Sequence, residues 1–289
     1  AGNDTLNGGS GADKLLGGDG NDTYVIDNTG DVITENANQG IDLVQSSVTH
    51  TLAANVDNGT PSSTDDTQYA GVDPGCSLLP VRVSFGNIPS LSATILALED
   101  IYDSLSTTPL AQVVNMSYAF ESDPEDPAEA QFLEILESLQ DEDVIVVTIS
   151  TNQGTGQADE YVPSMWDCVI TVAAIENDGS WPSFSGTGAS VDFAAPGWGL
   201  YVPTCPTSRG CDGNYAVNYL NGTSGAAPIV SGIVSLMLAR ADALSTSLSW
   251  YDVYDLLHYS ADPTLLQSRT DQAGWGLVNA YLAVDAVTP

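Results

Sequence analysis

The chain has 289 residues, of which 38 are acidic and 5 are Lys or Arg, so its formal net charge is −33. This length suffices for one α/β domain and a small additional module. So negative a chain excludes nucleic acid and anionic membranes as direct partners, and it suits a salty medium that screens self-repulsion. A halophilic or marine source would explain the acidity; a moderately acidic secreted protein with bound cations is the alternative.

The first 25 residues repeat with a period of nine. The unit GGSGADKLL at residues 8–16 is followed by GGDGNDTYV at 17–25, and a shortened copy, GNDTL, precedes them at 2–6. A flexible linker rich in Gly, Asn and Asp is the alternative, but three copies in phase favour a structure. The pattern resembles the calcium-binding nonapeptide (RTX) repeats of exported bacterial proteins, which implies a small N-terminal all-β calcium β-roll.

In such a repeat, Asp side chains and turn carbonyls offer the hard oxygen ligands that Ca²⁺ prefers. Leu6, Leu15 and Tyr24 recur at one phase and are expected to stack inside the module. At least three units are needed to bury a stable interior, so this set lies at the margin. The expected metal ligands are Asp4, Asp13, Asp22, Gly9, Gly11, Gly18 and Gly20.

Residues 26–58 resemble the strand-rich segment that often follows such repeats, and the alternation over 44–52 favours a strand. His50 lies in this run, where an ordinary strand residue is the simplest interpretation. A stretch rich in Gly, Pro, Ser, Thr and Asp follows at 59–67. The predicted organisation is therefore a module at 1–58, a junction at 59–70 and a second domain at 71–289.

The second domain contains apolar segments and helical patterns. Glu99 and Asp103 share one face of a predicted helix and are interpreted as a solvated acidic surface. The predicted elements are strands at 77–84, 111–119, 143–150, 168–174 and within 183–197, and helices at 90–106, 229–240 and 250–260.

The four cysteines have no spacing typical of a zinc site. Cys205 and Cys211 are close enough for a local disulfide, whereas Cys76 and Cys168 are either small core residues or a pair. The sequence has no apolar run of membrane length and no signal peptide, so no membrane insertion is expected.

The segment NGTSGAAP at 221–228 precedes an apolar helical run. Asn221 and Gly222 break regular structure, so Ser224 falls in the first turn of the helix, where free N–H groups and the helix dipole favour an oxyanion. Small neighbours let a substrate backbone approach closely. An ordinary helix cap rich in Gly, Ser and Thr is the alternative for GTSG taken alone.

This octapeptide resembles the nucleophile motif of the subtilisin-like serine peptidases, although Gly225 stands where that family usually has Met. The segments around it also follow the order found in that family, and the last of them is AGWGLVNAYLAV at 273–284. The resemblance covers about residues 71–289. It implies a subtilisin-like parallel sheet flanked by helices, peptide or protein substrates, Ser224 as nucleophile and Asn152 as oxyanion-hole donor. It also implies that an extended peptide is bracketed by Ser117, Tyr118, Ala119, Ser150 and Thr151.

The same resemblance places a catalytic Asp and His before the strand at 77–84. Residues 59–73 are too short for the strand, loop and helix that carry them, and they contain no His. His50 and His258 lie where the family has no base, so the fold is expected to lack its N-terminal part and the peptidase to be inactive or severely impaired. The alternative function is a calcium-dependent exported binding or structural protein without catalysis. Bacterial-type export is expected, and the acidity favours a saline environment; the sequence leaves the oligomeric state open.

Overall fold

The computed structural model describes residues 2, 4–18, 20, 22–34, 43–46, 72–73, 75–85, 88–154, 158–204, 216–263 and 274–289. The chain divides into two compact units. One comprises residues 1–70 and 201–219, and the other comprises residues 71–200 and 220–289.

Short parallel strands build the N-terminal repeat. They are β1 (Thr5–Asn7), β2 (Lys14–Leu15), β3 (Thr23–Ile26), β4 (Val32–Ile33) and β5 (Leu43–Ser46). Strands β1, β3 and β5 form one sheet and β2 and β4 another, so successive strands alternate between the two sheets. Thr5 lies opposite Thr23, a separation of 18 residues, because two nonapeptides make one complete turn of the chain.

The interior of this module is small and apolar. Leu15, Tyr24, Ile26 and Ile33 are buried together, and Leu6 packs against them. The predicted stacking of Leu6, Leu15 and Tyr24 is confirmed. The strand expected over 44–52 is present at β5, and residues 47–52 lie outside the described residues.

The second unit is a layered α/β structure. Its strands are β6 (Ser84–Phe85), β7 (Ile88–Pro89), β8 (Val113–Met116), β9 (Phe120–Glu121), β10 (Ile145–Ile149), β11 (Tyr161–Val162), β12 (Ile170–Ile175) and β13 (Phe193–Pro196). Its helices are α1 (Leu91–Ser104), α2 (Pro127–Asp141), α3 (Thr223–Ala243), α4 (Trp250–Ser260) and α5 (Ala280–Asp285). Strands β14 (Leu200–Thr204) and β15 (Ala216–Leu220) form a separate two-stranded sheet.

Four parallel strands form the central sheet in the order β13-β12-β10-β8. Strand β10 is buried on both faces, as expected of a parallel strand with a continuous apolar sequence. Val146 faces the cluster that includes Phe132 of α2, and Val147 faces the cluster that includes Val230 of α3. Helices α1 and α2 therefore cover one face, and α3, α4 and α5 cover the other.

The predicted strand at 77–84 is wrong. Residues 77–83 form no strand, and Leu78, Leu79 and Val81 are 86%, 52% and 51% exposed. Strand β6 begins only at Ser84 and pairs antiparallel with β7. Within the described residues the central sheet ends at β8, so residues 77–83 have no neighbouring strand in that sheet.

The helices predicted at 90–106, 229–240 and 250–260 and the other core strands occur where the sequence predicts them, whereas α2 and α5 were not predicted. The side chain of Ser90 caps α1, and Ser249 and Asp252 form a capping box that starts α4 at the predicted residue. Helix α3 is longer than predicted. Its length and hydropathy would suffice to cross a membrane, but core helices share these properties, and Val230, Ile233 and Met237 are buried against the sheet.

Candidate active site

Ser224 lies in the first turn of the longest described helix, α3. Gly222 caps this helix with a φ of 154°, and its N–H donates to the Gly197 carbonyl at 2.8 Å. Gly225 N–H donates to the Gly222 carbonyl at 3.0 Å. The loop before the helix is therefore held close to the end of β13, and the partly buried Ser224 is fixed at the positive end of the helix dipole.

Ser224 and Ser117 exchange two hydrogen bonds. The Ser224 hydroxyl donates to the Ser117 carbonyl at 3.1 Å, and the Ser117 hydroxyl donates to the Ser224 carbonyl at 3.1 Å. The Asn115 side-chain amide donates to the Ser117 hydroxyl at 2.9 Å, and the Ser231 hydroxyl donates to the Asn115 oxygen at 3.2 Å. The end of β8 is thus tied to the first three turns of α3.

Asn152 follows β10 and is held by the residue next to Ser224. Its Oδ1 accepts the backbone N–H and the hydroxyl of Thr223, both at 2.9 Å. Because a backbone N–H can only donate, this contact requires the amide oxygen on that side. The Nδ2 donor consequently turns toward Gly222, where a Cβ would stand 3.3 Å away. An amide donor therefore lies beside the loop that carries Ser224.

Sequence reasoning missed the roles of Thr223 and Asn115. Thr223 lies inside the octapeptide, so its hydroxyl beside the proposed nucleophile could have suggested its role. The structure shows that Thr223 is buried. For Asn115 the sequence offers no signal, because its partner Ser231 is 116 residues away.

Ser117, Tyr118 and Ala119 directly follow β8, next to Ser224. The Tyr118 hydroxyl lies 3.1 Å from the Thr94 hydroxyl, and burial raises the pKa of Tyr118. Its ring packs edge-on against Phe120. This segment therefore has a fixed backbone, which is the property a strand-addition site needs.

Ser150 and Thr151 offer a substrate little beyond their backbone. Ser150 is fully buried, and its hydroxyl donates to the Gly186 carbonyl at 2.9 Å. Thr151 is 4% exposed, has a φ of 75° and uses its carbonyl to accept from Gly186 N–H at 3.0 Å. Both side chains point away from solvent, so any contact with a peptide must come from the main chain.

The Ser224 hydroxyl has a backbone partner among the described residues. In this part of the chain no histidine or carboxylate is hydrogen bonded to its hydroxyl, which donates to a backbone carbonyl. His258 lies in the last turn of α4, and its ring centroid is 3.7 Å from that of Trp275 and 5.1 Å from that of Tyr259. His50 lies outside the described residues. Glu99 and Asp103 are exposed on α1, in agreement with a solvated acidic face.

The second unit also contains a partly buried carboxyl group, at Asp192, that the sequence pattern does not reveal. Asp192 accepts hydrogen bonds from Tyr254 Oη at 2.6 Å and from Thr171 N–H at 2.7 Å. Trp275 Nε1 donates to Tyr254 Oη at 3.0 Å. Burial raises the pKa of Asp192 to about 7, although the two hydrogen bonds lower it. Burial and the neighbouring Asp192 also raise the pKa of Tyr254.

The glycines of the repeat turns have positive φ values. Gly9 and Gly18 have φ values of 77° and 85°, and Gly11 and Gly20 have values of 128° and 131°. Corresponding glycines therefore adopt the same conformation in successive units. This repetition points their turns in the same way, as a regular set of carbonyl ligands needs.

Two acidic side chains of the repeat, Asp13 and Asp22, lie inside these turns, whereas Asp4 is exposed. Asp22 is 1% exposed, and its Oδ1 accepts the Asp4 N–H at 2.7 Å. Asp13 Oδ2 is buried with no hydrogen-bond partner in the described residues, and a Cβ at Gly8 would lie 2.7 Å from it. A buried, unpartnered carboxylate oxygen beside glycine turns fits a hard cation such as Ca²⁺.

No group of three or more His, Cys, Asp or Glu side chains gathers in the described ranges. Of the four cysteines, Cys168 is buried, with its pKa raised to about 12 by burial, and Cys76 is exposed and free. Cys205 and Cys211 lie outside the described residues.

A parallel α/β sheet that presents a serine at a helix N-terminus, beside an oriented amide donor, defines a serine-hydrolase type of site. The family comparison agrees: a model of the subtilase family matches residues 20–276, and the chain belongs to this family. A model of the RTX calcium-binding nonapeptide repeat matches residues 1–25.

Similar proteins support the same family. Subtilisin DY of Bacillus licheniformis is 28% identical over 193 residues, which cover 65% of this chain and 64% of that protein. The halolysin-like extracellular serine protease Nep of Natrialba magadii is 31% identical over 127 residues, which cover 42% of this chain and 20% of that protein. The chain therefore spans less than two thirds of each of these relatives.

Solved structures agree on the fold. A protease of Pseudoalteromonas arctica superposes with a TM-score of 0.64 at 23% identity, covering 75% of this chain and 65% of that one. The prenylagaramide maturation protease PagA gives a TM-score of 0.59 at 21% identity, covering 71% and 70%. The predicted subtilisin-like α/β class is confirmed, with the parallel sheet between helices.

Proposed function

We propose that this chain is a subtilase-type endopeptidase domain in which Ser224 is the nucleophile and Asn152 binds the oxyanion. One observation carries the proposal: Thr223 fixes the Asn152 amide so that Nδ2 turns toward the nucleophile loop. An oriented donor at a helix N-terminus stabilises a tetrahedral intermediate without reorganising. Peptide or protein substrates follow from this chemistry, with the backbone of 117–119 and 150–151 bracketing an extended chain.

We further propose that proteolysis is severely impaired. The Ser224 hydroxyl donates to the Ser117 carbonyl, which cannot take up its proton. In a subtilisin, loss of the catalytic histidine alone lowers kcat by about 10⁶, and the oxyanion hole and binding retain about 10³–10⁴ over water. A cleft with an oxyanion donor and no base therefore binds peptides far better than it cleaves them.

A turnover assay separates these possibilities. The wild-type chain, with and without Ca²⁺ and at low and high salt, is compared with Ser224→Ala on a fluorogenic peptide. We expect turnover at least about 10⁴-fold below that of an active subtilase. Rates near those of an active subtilase that disappear in Ser224→Ala would overturn the impairment and leave the site assignment standing.

A peptide boronate tests the site itself. Boron forms a tetrahedral adduct with a serine hydroxyl and mimics the oxyanion that Asn152 would bind. We expect the wild-type chain to bind the boronate more tightly than the corresponding free peptide, and Ser224→Ala to bind both equally. Equal binding by the wild-type chain would remove Ser224 and Asn152 from the proposed machinery.

The second candidate function is a calcium-dependent exported binding or structural protein that uses the same cleft without chemistry. The absence of a base hydrogen bonded to Ser224 in the described residues favours it. Cooperative folding and micromolar peptide binding that need Ca²⁺, without cleavage, would support it. A chain that stays molten in Ca²⁺ and salt would instead indicate an incomplete enzyme.

For calcium, the proposed ligands are the carboxylates of Asp4, Asp13 and Asp22 together with turn carbonyls. The turn carbonyls belong to Gly9, Gly11, Gly18 and Gly20. Bound Ca²⁺ would neutralise the buried carboxylates and join stacked turns. Titration of the whole chain with Ca²⁺, followed by circular dichroism, tests this: no change up to millimolar Ca²⁺ contradicts it.

We propose secretion by a bacterial-type export route, since the relatives matched include an enzyme named as extracellular and the repeat is of a calcium-binding type. The halolysin-like name and the net charge of −33 support a saline setting. We also propose boundaries at 1–58, 59–70 and 71–289; the second compact unit likewise starts at residue 71, although residues 201–219 group with the first unit. Detection of the chain in culture medium, with a cytosolic marker absent, tests the export route.

A further inference from the structure

Asp31 continues the nine-residue spacing of Asp4, Asp13 and Asp22, yet it lies in a turn of different sequence. The turn reads DNTGD over 27–31 and lacks the paired glycines of the preceding units. Asp31 is 5% exposed. An almost fully buried carboxylate needs partners for both oxygens, so the identity of these partners indicates what this turn does.

Both oxygens of Asp31 accept backbone hydrogen bonds. Oδ1 accepts the Asp13 N–H at 3.0 Å, in the way that Asp22 Oδ1 accepts the Asp4 N–H. Oδ2 accepts the N–H groups of Asn28 at 3.2 Å and Asp27 at 3.3 Å. The second oxygen is therefore satisfied inside its own turn. By contrast, Asp13 Oδ2 has no hydrogen-bond partner in the described residues.

The turn closes on itself through further contacts. Asp31 N–H donates to the Asn28 carbonyl at 3.1 Å, and Gly30 N–H donates to Asn28 Oδ1 at 2.9 Å. Val32 N–H then donates to the Asp13 carbonyl at 2.8 Å, which joins this turn to the unit stacked before it. The turn therefore has several local hydrogen bonds that need no cation.

We infer that Asp31 ends the series of calcium-binding turns on its side of the module. At this turn, protein N–H groups replace the cation. The turn therefore orders without metal and supports the calcium-dependent turns before it. The inference rests on the calcium binding proposed above. Hydrogen bonds to a charged carboxylate are stronger than those between neutral groups, so the loss of this carboxylate weakens the platform on which Asp13 is stacked.

The experiment uses the whole chain as wild type, Asp31→Ala, Asp31→Asn and the control Asp27→Asn. Asp27 is an exposed carboxylate in the same turn, so its loss changes the charge equally. Hydrogen exchange of residues 26–34 is measured in EDTA, and Ca²⁺ affinity and stoichiometry are measured by calorimetry. Exchange over β10 and β12 serves as the internal folding control.

In EDTA we expect protection of 26–34 in the wild-type chain and in Asp27→Asn, and exchange about tenfold faster in Asp31→Ala. With Ca²⁺ we expect unchanged stoichiometry and about tenfold weaker affinity in Asp31→Ala, with Asp31→Asn between, because an amide keeps one acceptor oxygen. If Asp31→Ala fails the folding control, the exchange and the Ca²⁺ affinity of Asp31→Asn test the inference instead.

Two results would overturn the inference. Stoichiometry reduced by one, with unprotected residues 26–34 in wild-type EDTA samples, would make Asp31 a metal ligand. Unchanged exchange and affinity in both Asp31 variants would remove any capping role. If the wild-type chain binds no Ca²⁺, the proposed calcium function fails, while the exchange measured in EDTA still decides whether Asp31 holds its turn.

Discussion

The Asn152 side-chain oxygen accepts two hydrogen bonds from Thr223, one from the backbone and one from the hydroxyl, both at 2.9 Å. The Thr223 hydroxyl also lies 3.3 Å from the Thr151 carbonyl. One side chain thereby joins the loop after β10 to the first turn of α3. The orientation of the proposed oxyanion donor depends on this contact as much as on Asn152 itself.

We predict that Thr223→Val weakens binding of a peptide boronate roughly fivefold to tenfold, because the loss of one hydrogen bond costs about 1 kcal/mol. Valine has the same shape, so the fold should be retained. Thr223→Ser keeps the hydroxyl and should bind nearly as the wild-type chain does. Boronate affinities for the three chains, with free peptide as reference, give the comparison. Equal losses in the serine and valine variants would show that packing matters rather than the hydrogen bond.

The repeat offers a matched pair of glycines. A methyl group added at Gly9 or Gly11 would meet no atom within 4 Å, so replacement by alanine acts only through the backbone. The φ of 77° at Gly9 is close to the left-handed helical region, which costs other residues roughly 1–2 kcal/mol. The φ of 128° at Gly11 lies outside it and costs more.

We therefore predict that Gly11→Ala raises the Ca²⁺ concentration needed to order the module more than Gly9→Ala does. If the backbone penalty at Gly11 exceeds that at Gly9 by roughly 1.4 kcal/mol, the midpoint Ca²⁺ concentration shifts by about a further tenfold. Calcium titrations followed by circular dichroism measure both midpoints. The reverse order would mean that the two turns change conformation when the cation binds.

Local patterns predicted much of this fold. Trp250–Ser260 is a helix at the predicted residues because a capping box fixes its start. Strand β10 is buried on both faces, as its unbroken run of Ile, Val and Thr indicates. These elements depend on information within a few residues. The octapeptide at 221–228 likewise placed Ser224 in the first turn of α3.

Elements that depend on distant partners were predicted less well. The segment at 77–83 is apolar enough for a core strand, but no described neighbour pairs with it, and Leu78 stays exposed. Nothing in the local sequence indicates that Asn115 contacts Ser231, or that Asp192 contacts Tyr254, since each pair joins separate elements. Such contacts exist only after the sheet and helices have packed.

The acidic surface predicts a strong response to salt. At a net charge of −33, self-repulsion destabilises the fold, and salt shortens the screening length from about 10 Å at 0.1 M to about 3 Å at 1 M. We expect Tm to rise between roughly 0.1 and 2 M NaCl, with a smaller rise in the double variant Glu99→Lys and Asp103→Lys, which changes an exposed acidic face. Sucrose controls for exclusion effects of the solute. An equal rise of Tm with NaCl in both chains would show that the salt effect does not arise from this acidic face.

Asp192 predicts a dependence of stability on pH. Burial raises its pKa to about 7 in the fold, from an unfolded value near 3.9. A raised carboxyl pKa stabilises the fold fully below the unfolded value, and this contribution is lost as pH rises through about 7. The contribution is on the order of 4 kcal/mol at most, because each pKa unit corresponds to about 1.4 kcal/mol.

Asp192→Asn isolates this contribution, because an amide does not titrate. We expect the wild-type chain to lose its stability advantage over Asp192→Asn progressively between about pH 4 and about pH 8. Urea unfolding followed by tryptophan fluorescence measures the difference, since all five Trp residues lie in the second unit. Asp178→Asn is the control: this exposed carboxyl has a pKa lowered by hydrogen bonds from Ser180, so its effect is small and opposite in sign. A wild-type advantage that is independent of pH would mean that Asp192 stays ionised in the fold and is stabilised by Tyr254 and Thr171.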